Sequence, residues 1–105
     1  MSTTQDLYFG AFVDSRLAGF GMLRGWDEGY AVPSFGVAVE SAARGRGLGR
    51  GLLRFAIRAA RGRGAPSMML KVHVENPARH LYEAEGFHFP DEPGADGQVK
   101  GTLRL

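Results

Sequence analysis

Residues 43–54 read ARGRGLGRGLLR, a stretch in which glycine and arginine nearly alternate at the point where a helical pattern begins. Glycine lowers helix stability by about 1 kcal/mol per residue relative to alanine, so its repetition at a helix start needs another reason. The first turn of a helix leaves its backbone N–H groups unpaired, and the helix dipole makes that end attractive to anions. Glycines let those N–H groups approach a phosphate closely, and arginines add charge-assisted donors. The stretch therefore predicts a site for a phosphate or a diphosphate.

A short apolar strand precedes this stretch and an amphipathic helix follows it. Residues 34–40, SFGVAVE, form an apolar run that is typical of a buried strand. From Gly47 to Arg61, apolar residues recur at helical spacing on one side, and arginines form a ridge on the other. No lysine follows the glycines, which excludes a P-loop, and the glycine spacing does not match the dinucleotide-binding fingerprint.

The rest of the chain has patterns for five more strands and one more helix. Alternating or apolar runs predict strands at residues 7–14, 17–25, 68–75, 87–89 and 99–105. The second helix is predicted over residues 76–86, with Asn76 as its N-cap and Gly86 just past its end. The order β-β-β-α-β-α-β-β predicts an α+β (α/β) fold with a mixed, mostly antiparallel twisted sheet. The length of 105 residues suits one domain over residues 1–105.

Composition excludes several classes of function. The chain has no cysteine, so a disulfide framework, a thiolate metal site and a cysteine nucleophile are all excluded. The three histidines match no zinc spacing, so we expect no metal. A net charge of +2 is too small to indicate a nucleic-acid partner. The N-terminus lacks a signal-peptide pattern, and no apolar run reaches membrane-spanning length, so we expect a cytoplasmic protein with no membrane partner.

Two motifs in the chain resemble those of the GNAT superfamily, the acyl-CoA-dependent N-acyltransferases. The first is R-x-x-G-x-G, which Arg44, Gly47 and Gly49 match between a strand and a helix. The second is N-x-x-A-x-x-L-Y-x-x-x-G-F, to which residues 76–87, NPARHLYEAEGF, are similar, although Arg79 stands where the family usually has alanine. The motifs occur in the family's order with a strand between them, and the resemblance covers roughly residues 5–105.

The resemblance implies an N-acetyltransferase that uses acetyl-CoA as co-substrate. In the family, backbone amides of the first motif bind the CoA diphosphate, which here implies Arg44, Gly45, Arg46, Gly47, Leu48, Gly49 and Arg50. The pantetheine arm is expected along the preceding strand at Val37, Ala38 and Val39, where an N–H group also polarises the thioester carbonyl. Tyr82 is the implied general acid for the departing thiolate, and Asn76 is both helix cap and neighbour of the cofactor.

The acceptor implied by the family is a primary amine of a small molecule or a protein, which attacks the thioester directly through a tetrahedral intermediate. The amine must lose a proton, and the sequence does not choose among five candidate bases, Glu40, Glu28, Asp27, His73 and Glu75. Two alternatives remain open: a CoA-binding regulatory module that does not transfer an acyl group, and a basic nucleic-acid-binding domain.

The chain is short compared with the family, because it begins at the predicted hairpin. The family's usual first strand and the two helices after it, which wall the acceptor site, have no counterpart in the sequence. Three expectations stay open: an acceptor pocket that is open, one that is completed by a second subunit, or a sequence that is a piece of a longer protein. The exposed edge of the strand at residues 5–13 favours a homodimer.

Overall fold

The computed structural model describes residues 5–105, and residues 1–4, on which the signal-peptide expectation partly rests, lie outside the described residues. The strands and helices follow in the order β1 (Leu7–Val13), β2 (Arg16–Arg24), β3 (Ser34–Val39), α1 (Leu48–Gly62), β4 (Ser67–His73), α2 (Ala78–Ala84) and β5 (Gln98–Arg104). Short 3₁₀ turns at Trp26–Glu28 and Ser41–Ala43 flank β3.

The five strands form one sheet in the order β1-β2-β3-β4-β5. Adjacent strands are antiparallel, except that β3 and β4 are parallel and are connected by α1. The hairpin between β1 and β2 turns at Asp14 and Ser15, which both have positive φ. The predicted α+β fold class and the mixed, mostly antiparallel sheet are therefore confirmed.

The predicted strand over residues 87–89 is reduced to a single bridge. His88 exchanges two backbone hydrogen bonds with Thr102 of β5, at 2.9 and 3.0 Å. In an antiparallel ladder the next hydrogen-bonded position would be residue 90, which is a proline and has no N–H group to donate. The pairing therefore stops after one residue pair.

Both helices contribute to one hydrophobic core on the same face of the sheet. The buried cluster joins strand, α1 and α2 side chains, among them Leu23, Phe35, Met68, Leu53, Ile57 and Tyr82. Side chains alternate along a strand, so the opposite face, here called the outer face, carries Met22, Ser34, Met69 and Lys100. No helix within residues 5–105 covers the outer face. In the same residues, no helix has the length and apolarity to cross a bilayer.

The parallel strands β3 and β4 are paired only near the start of β3. Ser34 is in register with Met69, and the Met69 N–H donates to the Pro33 carbonyl at 3.0 Å. By contrast, the whole of β3 is paired with β2, and the whole of β4 is paired with β5. The two central strands therefore separate toward their C-terminal ends and leave a gap, here called the β3–β4 wedge.

Candidate active site

The loop of residues 44–50 leads from the 3₁₀ turn after β3 into α1. Gly45 and Gly47 have φ of 81° and 80°, the left-handed region that costs a residue with a side chain roughly 1–2 kcal/mol. A Cβ at either position would meet no atom within 4 Å, so the glycines serve backbone conformation and leave the loop surface open. Gly47 is the N-cap of α1, and no side chain caps that helix.

The N–H groups of residues 45–50 donate no hydrogen bond to any part of residues 5–105. The first bond of α1 runs from the Gly51 N–H to the Gly47 carbonyl, at 3.0 Å. Arg44 differs from the six residues after it, because its N–H already donates to the Ser41 carbonyl at 3.3 Å. Consecutive free donors at the positive end of a helix dipole form an arrangement suited to an anion.

The three arginines of the loop have different surroundings. The Arg44 Nε atom donates to the Val39 carbonyl at 3.2 Å, so this side chain fastens the end of β3 to the loop. The side chains of Arg46 and Arg50 are exposed and form no ion pair within residues 5–105. Only the latter two guanidinium groups are fully available to a ligand bound at the loop.

The backbone of β3 points alternately toward β2 and toward the wedge. The Glu40 N–H donates to the Ala18 carbonyl on the β2 side at 2.9 Å. Because direction alternates along a strand, Ala38 also faces β2, whereas the N–H and C=O groups of Val37 and Val39 face the wedge. Of the three β3 residues implied by the resemblance, Val37 and Val39 present backbone groups to the wedge and Ala38 does not.

Tyr82 lies on α2 with 7% of its surface exposed, and its ring meets the edge of Phe87 at a centroid distance of 6.0 Å. Its hydroxyl makes no hydrogen bond within residues 5–105. Burial raises the pKa of the phenol above its ordinary value of 10.0, so the group stays protonated at neutral pH. Tyr82 is therefore available as a proton donor.

Two contacts join α2 to α1 beside the glycine-rich loop. A Cβ at Gly49 would lie 3.9 Å from Leu81 Cδ2, so the residue before Tyr82 borders the first turn of α1. One turn further along, Arg54 Nε and Glu85 Oε1 are 2.6 Å apart. The hydrogen bond from Arg54 holds the pKa of the Glu85 carboxyl below its ordinary value. The two motifs are thus adjacent in the fold.

The N-cap position of α2 is Pro77, one residue later than predicted, but Asn76 still provides the capping hydrogen bond. Its Oδ1 atom accepts the Ala78 N–H at 2.9 Å, and its backbone carbonyl accepts the Arg79 N–H at 3.1 Å. Gly86, just past the end of α2, has φ of 106°, which agrees with its predicted position.

Two of the candidate bases are engaged in other contacts. The Asp27 carboxylate accepts the N–H groups of Gln5 and Asp6, at 2.6 and 3.4 Å. Glu40 pairs with Arg16 at 2.6 Å. These carboxylates tie the ends of the β1–β2 hairpin to neighbouring segments and have a structural role.

The remaining candidate bases lie in two places. His73 and Glu75 are exposed at the end of β4, where the His73 Nδ1 atom accepts the Glu75 N–H at 3.2 Å. Glu28 instead borders a cavity of about 630 Å³ that also contacts Ser34 and Met69, the pair at the narrow end of the wedge. Glu28 is the one acid lining this cavity within residues 5–105.

Sequence reasoning did not identify the cavity. Its walls come from β2, β3, β4, β5 and the loop between β2 and β3, which are distant in sequence. The available signal was the alternation that places Met22, Arg24 and Ser34 on one face of neighbouring strands. Residues 5–105 contain no group of three or more histidine or acidic side chains that could hold a metal ion.

Comparison with known proteins agrees with this arrangement. The sequence profile described as the acetyltransferase (GNAT) family matches residues 1–87. Streptothricin acetyltransferase from Streptomyces lavendulae is 39% identical over 79 residues, which are 72% of this chain and 41% of that protein. The chain spans less than half the length of the curated relatives it matches, 41% of one and 25% of another.

Solved structures share the whole fold. A GCN5-related N-acetyltransferase from Kribbella flavida superimposes with a TM-score of 0.88 at 26% identity, covering 100% of this chain and 71% of that one. The PaiA N-acetyltransferase from Thermoplasma acidophilum, solved in complex with coenzyme A, gives a TM-score of 0.83 at 24% identity, covering 95% and 61%. The second likeness, at that identity, shows the fold alone.

Proposed function

Because the chain belongs to the acetyltransferase (GNAT) family, we propose that it transfers the acetyl group of acetyl-CoA to a primary amine of a small molecule or a protein. The run of unpaired N–H groups at residues 45–50 carries the proposal, because only a short 3₁₀ turn separates it from β3, whose backbone faces an open wedge. In this proposal residues 1–105 act as one domain, consistent with the single buried cluster that α1, α2 and the strands share.

The proposed role of the backbone is to bind and polarise the co-substrate. The N–H groups of residues 45–50 bind the diphosphate, and the exposed guanidinium groups of Arg46 and Arg50 contribute charge-assisted hydrogen bonds. Both backbone groups of Val37 and the N–H of Val39 face the wedge, where an amide-bearing arm can pair with them as an added strand does, while the Val39 carbonyl already accepts from Arg44. An N–H group of the same two residues stabilises negative charge on the thioester oxygen.

Two side chains handle protons in the proposal. As the amine nitrogen bonds to the carbonyl carbon and the C–S bond breaks, Tyr82 gives its proton to the departing sulfur. The raised pKa of Tyr82 keeps that proton in place until it is needed. We assign the base to Glu28, directly or through one water, because it alone among the five candidates borders the cavity at the narrow end of the wedge.

We propose a cytoplasmic location, because the reaction consumes an intracellular thioester.

We also propose a homodimer formed through β1. β1 is an edge strand of the sheet, and the side chains of Tyr8 and Phe12 are 66% and 67% exposed. An edge strand with exposed aromatic residues is a template for pairing with another chain. Sedimentation equilibrium is expected to give twice the chain mass for the wild type and a lower mass for Phe12→Lys. A strictly monomeric wild type contradicts this proposal.

Thermal unfolding with and without acetyl-CoA tests the proposed function. A ligand at 100 times its dissociation constant adds about 2.7 kcal/mol to the free energy of unfolding, so we expect a clear rise in Tm. Release of free thiol in the presence of amines then reports transfer. A rise in Tm without thiol release from any amine would identify a CoA-binding module instead. No rise with acetyl-CoA together with a rise with RNA or DNA would identify a nucleic-acid-binding domain.

A further inference from the structure

We propose that the cavity of about 630 Å³ on the outer face selects an acceptor amine that carries a carboxylate on an apolar body, such as an apolar amino acid. This inference rests on the proposed acetyl transfer and adds the class of acceptor. Cavities of roughly 300–1,000 Å³ hold small-molecule ligands, so the volume suits an acceptor of this class.

The position of the cavity relative to the wedge makes it the acceptor side of the reaction. The unpaired N–H groups at residues 45–50 follow the C-terminal end of β3. An arm that leaves them and runs back along Val39 and Val37 reaches the start of β3. Ser34, at that start, is in register with Met69, and both residues line the cavity. The reactive end of the co-substrate would therefore meet an amine seated there.

Most of the cavity wall is apolar. The side chains of Met22 of β2 and Met69 of β4 contribute, together with Tyr30 and Val32 of the loop between β2 and β3. An acceptor with an aliphatic or aromatic group gains by covering this surface, because apolar area is then removed from water. The wall therefore favours an amine with an apolar body over a small, fully hydrated amine.

Two cations stand on opposite sides of the cavity. Arg24 and Lys100 both line it, and neither forms an ion pair within residues 5–105. In the strand register Arg24 pairs with Ser34, Ser34 with Met69, and Met69 with Thr102. Lys100 lies two residues along β5 from Thr102. Three strand spacings separate the two cationic strands, about 14 Å.

An acceptor seated over the pair Ser34 and Met69 lies between these two positive side chains. With Glu28 as the single acid, the lining carries an excess of positive charge. An acceptor that brings a carboxylate places it near Arg24 or Lys100 and leaves Glu28 for the amine. The second ammonium group of a diamine would lie in a site that already has two positive side chains. The site should therefore disfavour diamines, because complementary charge determines specificity.

The test compares L-phenylalanine with phenethylamine, which is the same molecule without the carboxylate. We expect wild-type kcat/KM to be about 3-fold higher for L-phenylalanine, because its single carboxylate contacts one exposed cation, Arg24 or Lys100, at a time. The double variant Arg24→Gln/Lys100→Gln should lose most of this preference, and the single variants show which cation contributes more. The quantity compared is kcat/KM for L-phenylalanine divided by kcat/KM for phenethylamine. Dividing its wild-type value by its value in the variant cancels the difference in basicity between the two amines.

Arg104→Gln is the matched control, because Arg104 is an exposed cation of β5 that does not line the cavity. It should keep the wild-type preference. Equal kcat/KM for both amines in the wild type, or an unchanged preference in the double variant, overturns the inference and leaves acetyl transfer intact.

Equilibrium binding keeps the inference testable if no amine releases thiol, an outcome that removes the proposed function. Calorimetric titration of the CoA-loaded protein, or of the free protein if CoA does not bind, should show tighter binding of L-phenylalanine than of phenethylamine. The double variant should abolish that difference. Binding that does not depend on the carboxylate overturns the inference by itself.

Discussion

The two helices of this protein begin in opposite ways. α1 begins at Gly47 with no side-chain cap, and the six N–H groups from residue 45 to residue 50 have no acceptor within residues 5–105. α2 begins after Asn76, whose side chain accepts the Ala78 N–H at 2.9 Å. Helix starts in proteins are commonly closed by a side chain. An unpaired N–H group there lowers the stability of the protein unless water or a ligand accepts its hydrogen bond.

Because of this difference, the two helices contribute different chemical groups. The open start of α1 offers backbone donors, so its chemistry depends on the conformation of glycines rather than on side chains. The closed start of α2 offers no backbone donor, and that helix contributes the phenol of Tyr82 instead. Substitutions that change backbone conformation should therefore affect function at α1 and only stability elsewhere.

The largest effect is expected from Gly47→Val. The φ of 80° at this position costs a β-branched residue roughly 1–2 kcal/mol, and the new side chain would stand over the open loop. We expect the dissociation constant for acetyl-CoA, measured by calorimetry, to rise at least about 100-fold.

Gly64→Val is the matched control for that substitution. Gly64 has φ of 78° and also has no atom within 4 Å of an added Cβ, but it lies beyond the C-terminal end of α1. Both variants should lose a similar amount of stability in urea unfolding, while only Gly47→Val loses acetyl-CoA binding. Equal acetyl-CoA affinity in the two variants would show that the loop is not the diphosphate site.

The next effect in size is expected from Tyr82→Phe on α2. A positioned general acid contributes about 10²–10⁴-fold to rate, so kcat should fall at least about 100-fold while the dissociation constant for acetyl-CoA stays unchanged. Because burial raises the pKa of Tyr82, any loss of wild-type kcat from deprotonation of this phenol should come at a higher pH than an exposed tyrosine would give. Tyr8→Phe, at an exposed position on β1, is the control and should match the wild type. An unchanged kcat in Tyr82→Phe removes the acid role from this residue.

The sequence predicted the open and closed helix starts because each depends on neighbouring residues. Gly47 and Gly49 precede the apolar stripe of α1, and Asn76 and Pro77 precede α2, so local backbone rules were sufficient. The prediction of a strand at residues 87–89 was wrong, because strand pairing depends on the partner strand and on a backbone N–H group that Pro90 lacks. Spacing of apolar residues alone does not include that requirement.

The cavity on the outer face could not be predicted for a related reason. Arg24 and Lys100 are brought to one site only by the register of the strands between them. A single sequence contains the alternation of each strand but not the order of the strands in the sheet. The choice of Glu28 from five candidate bases likewise needed the fold, because Asp27 and Glu40 are excluded by contacts with residues distant in sequence.

A smaller effect is expected at the closed start of α2, where Asn76 has two proposed roles. Asn76→Ala removes the cap and should lower the free energy of unfolding by about 1 kcal/mol. Asn76→Asp keeps a capping oxygen but loses the amide N–H₂ donor, so it should retain stability. If Asn76 also contacts the co-substrate, both variants should weaken acetyl-CoA binding by several-fold. Wild-type affinity in both would limit Asn76 to its structural role.

The smallest effect concerns the ion pair that joins the two helices. The hydrogen bond from Arg54 lowers the pKa of Glu85 from its ordinary 4.5, and Arg50 at the open start of α1 lowers it further through space. A carboxyl with a depressed folded-state pKa contributes stability that is fully present above its unfolded pKa and is lost as pH falls through the folded pKa. The contribution of Glu85 should therefore be complete at pH 6 and decline progressively below about pH 4.5.

Glu85→Gln makes this pH dependence measurable. The pair is partly exposed, so the variant should lower Tm by only roughly 1–4 °C at pH 6, and the difference from the wild type should shrink as pH falls to 3. Arg58→Gln, at an exposed position one turn after Arg54 and without an ion pair within residues 5–105, should change Tm little at either pH. A Tm difference between Glu85→Gln and the wild type that stays constant from pH 6 to pH 3 would mean that the carboxylate charge does not hold α2 against α1.

Glu85 also interacts with the charge of Arg50. An anion bound at the loop should therefore partly neutralise that charge and reduce the Tm difference at pH 6. That coupling would connect the open start of α1 to the C-terminal end of α2.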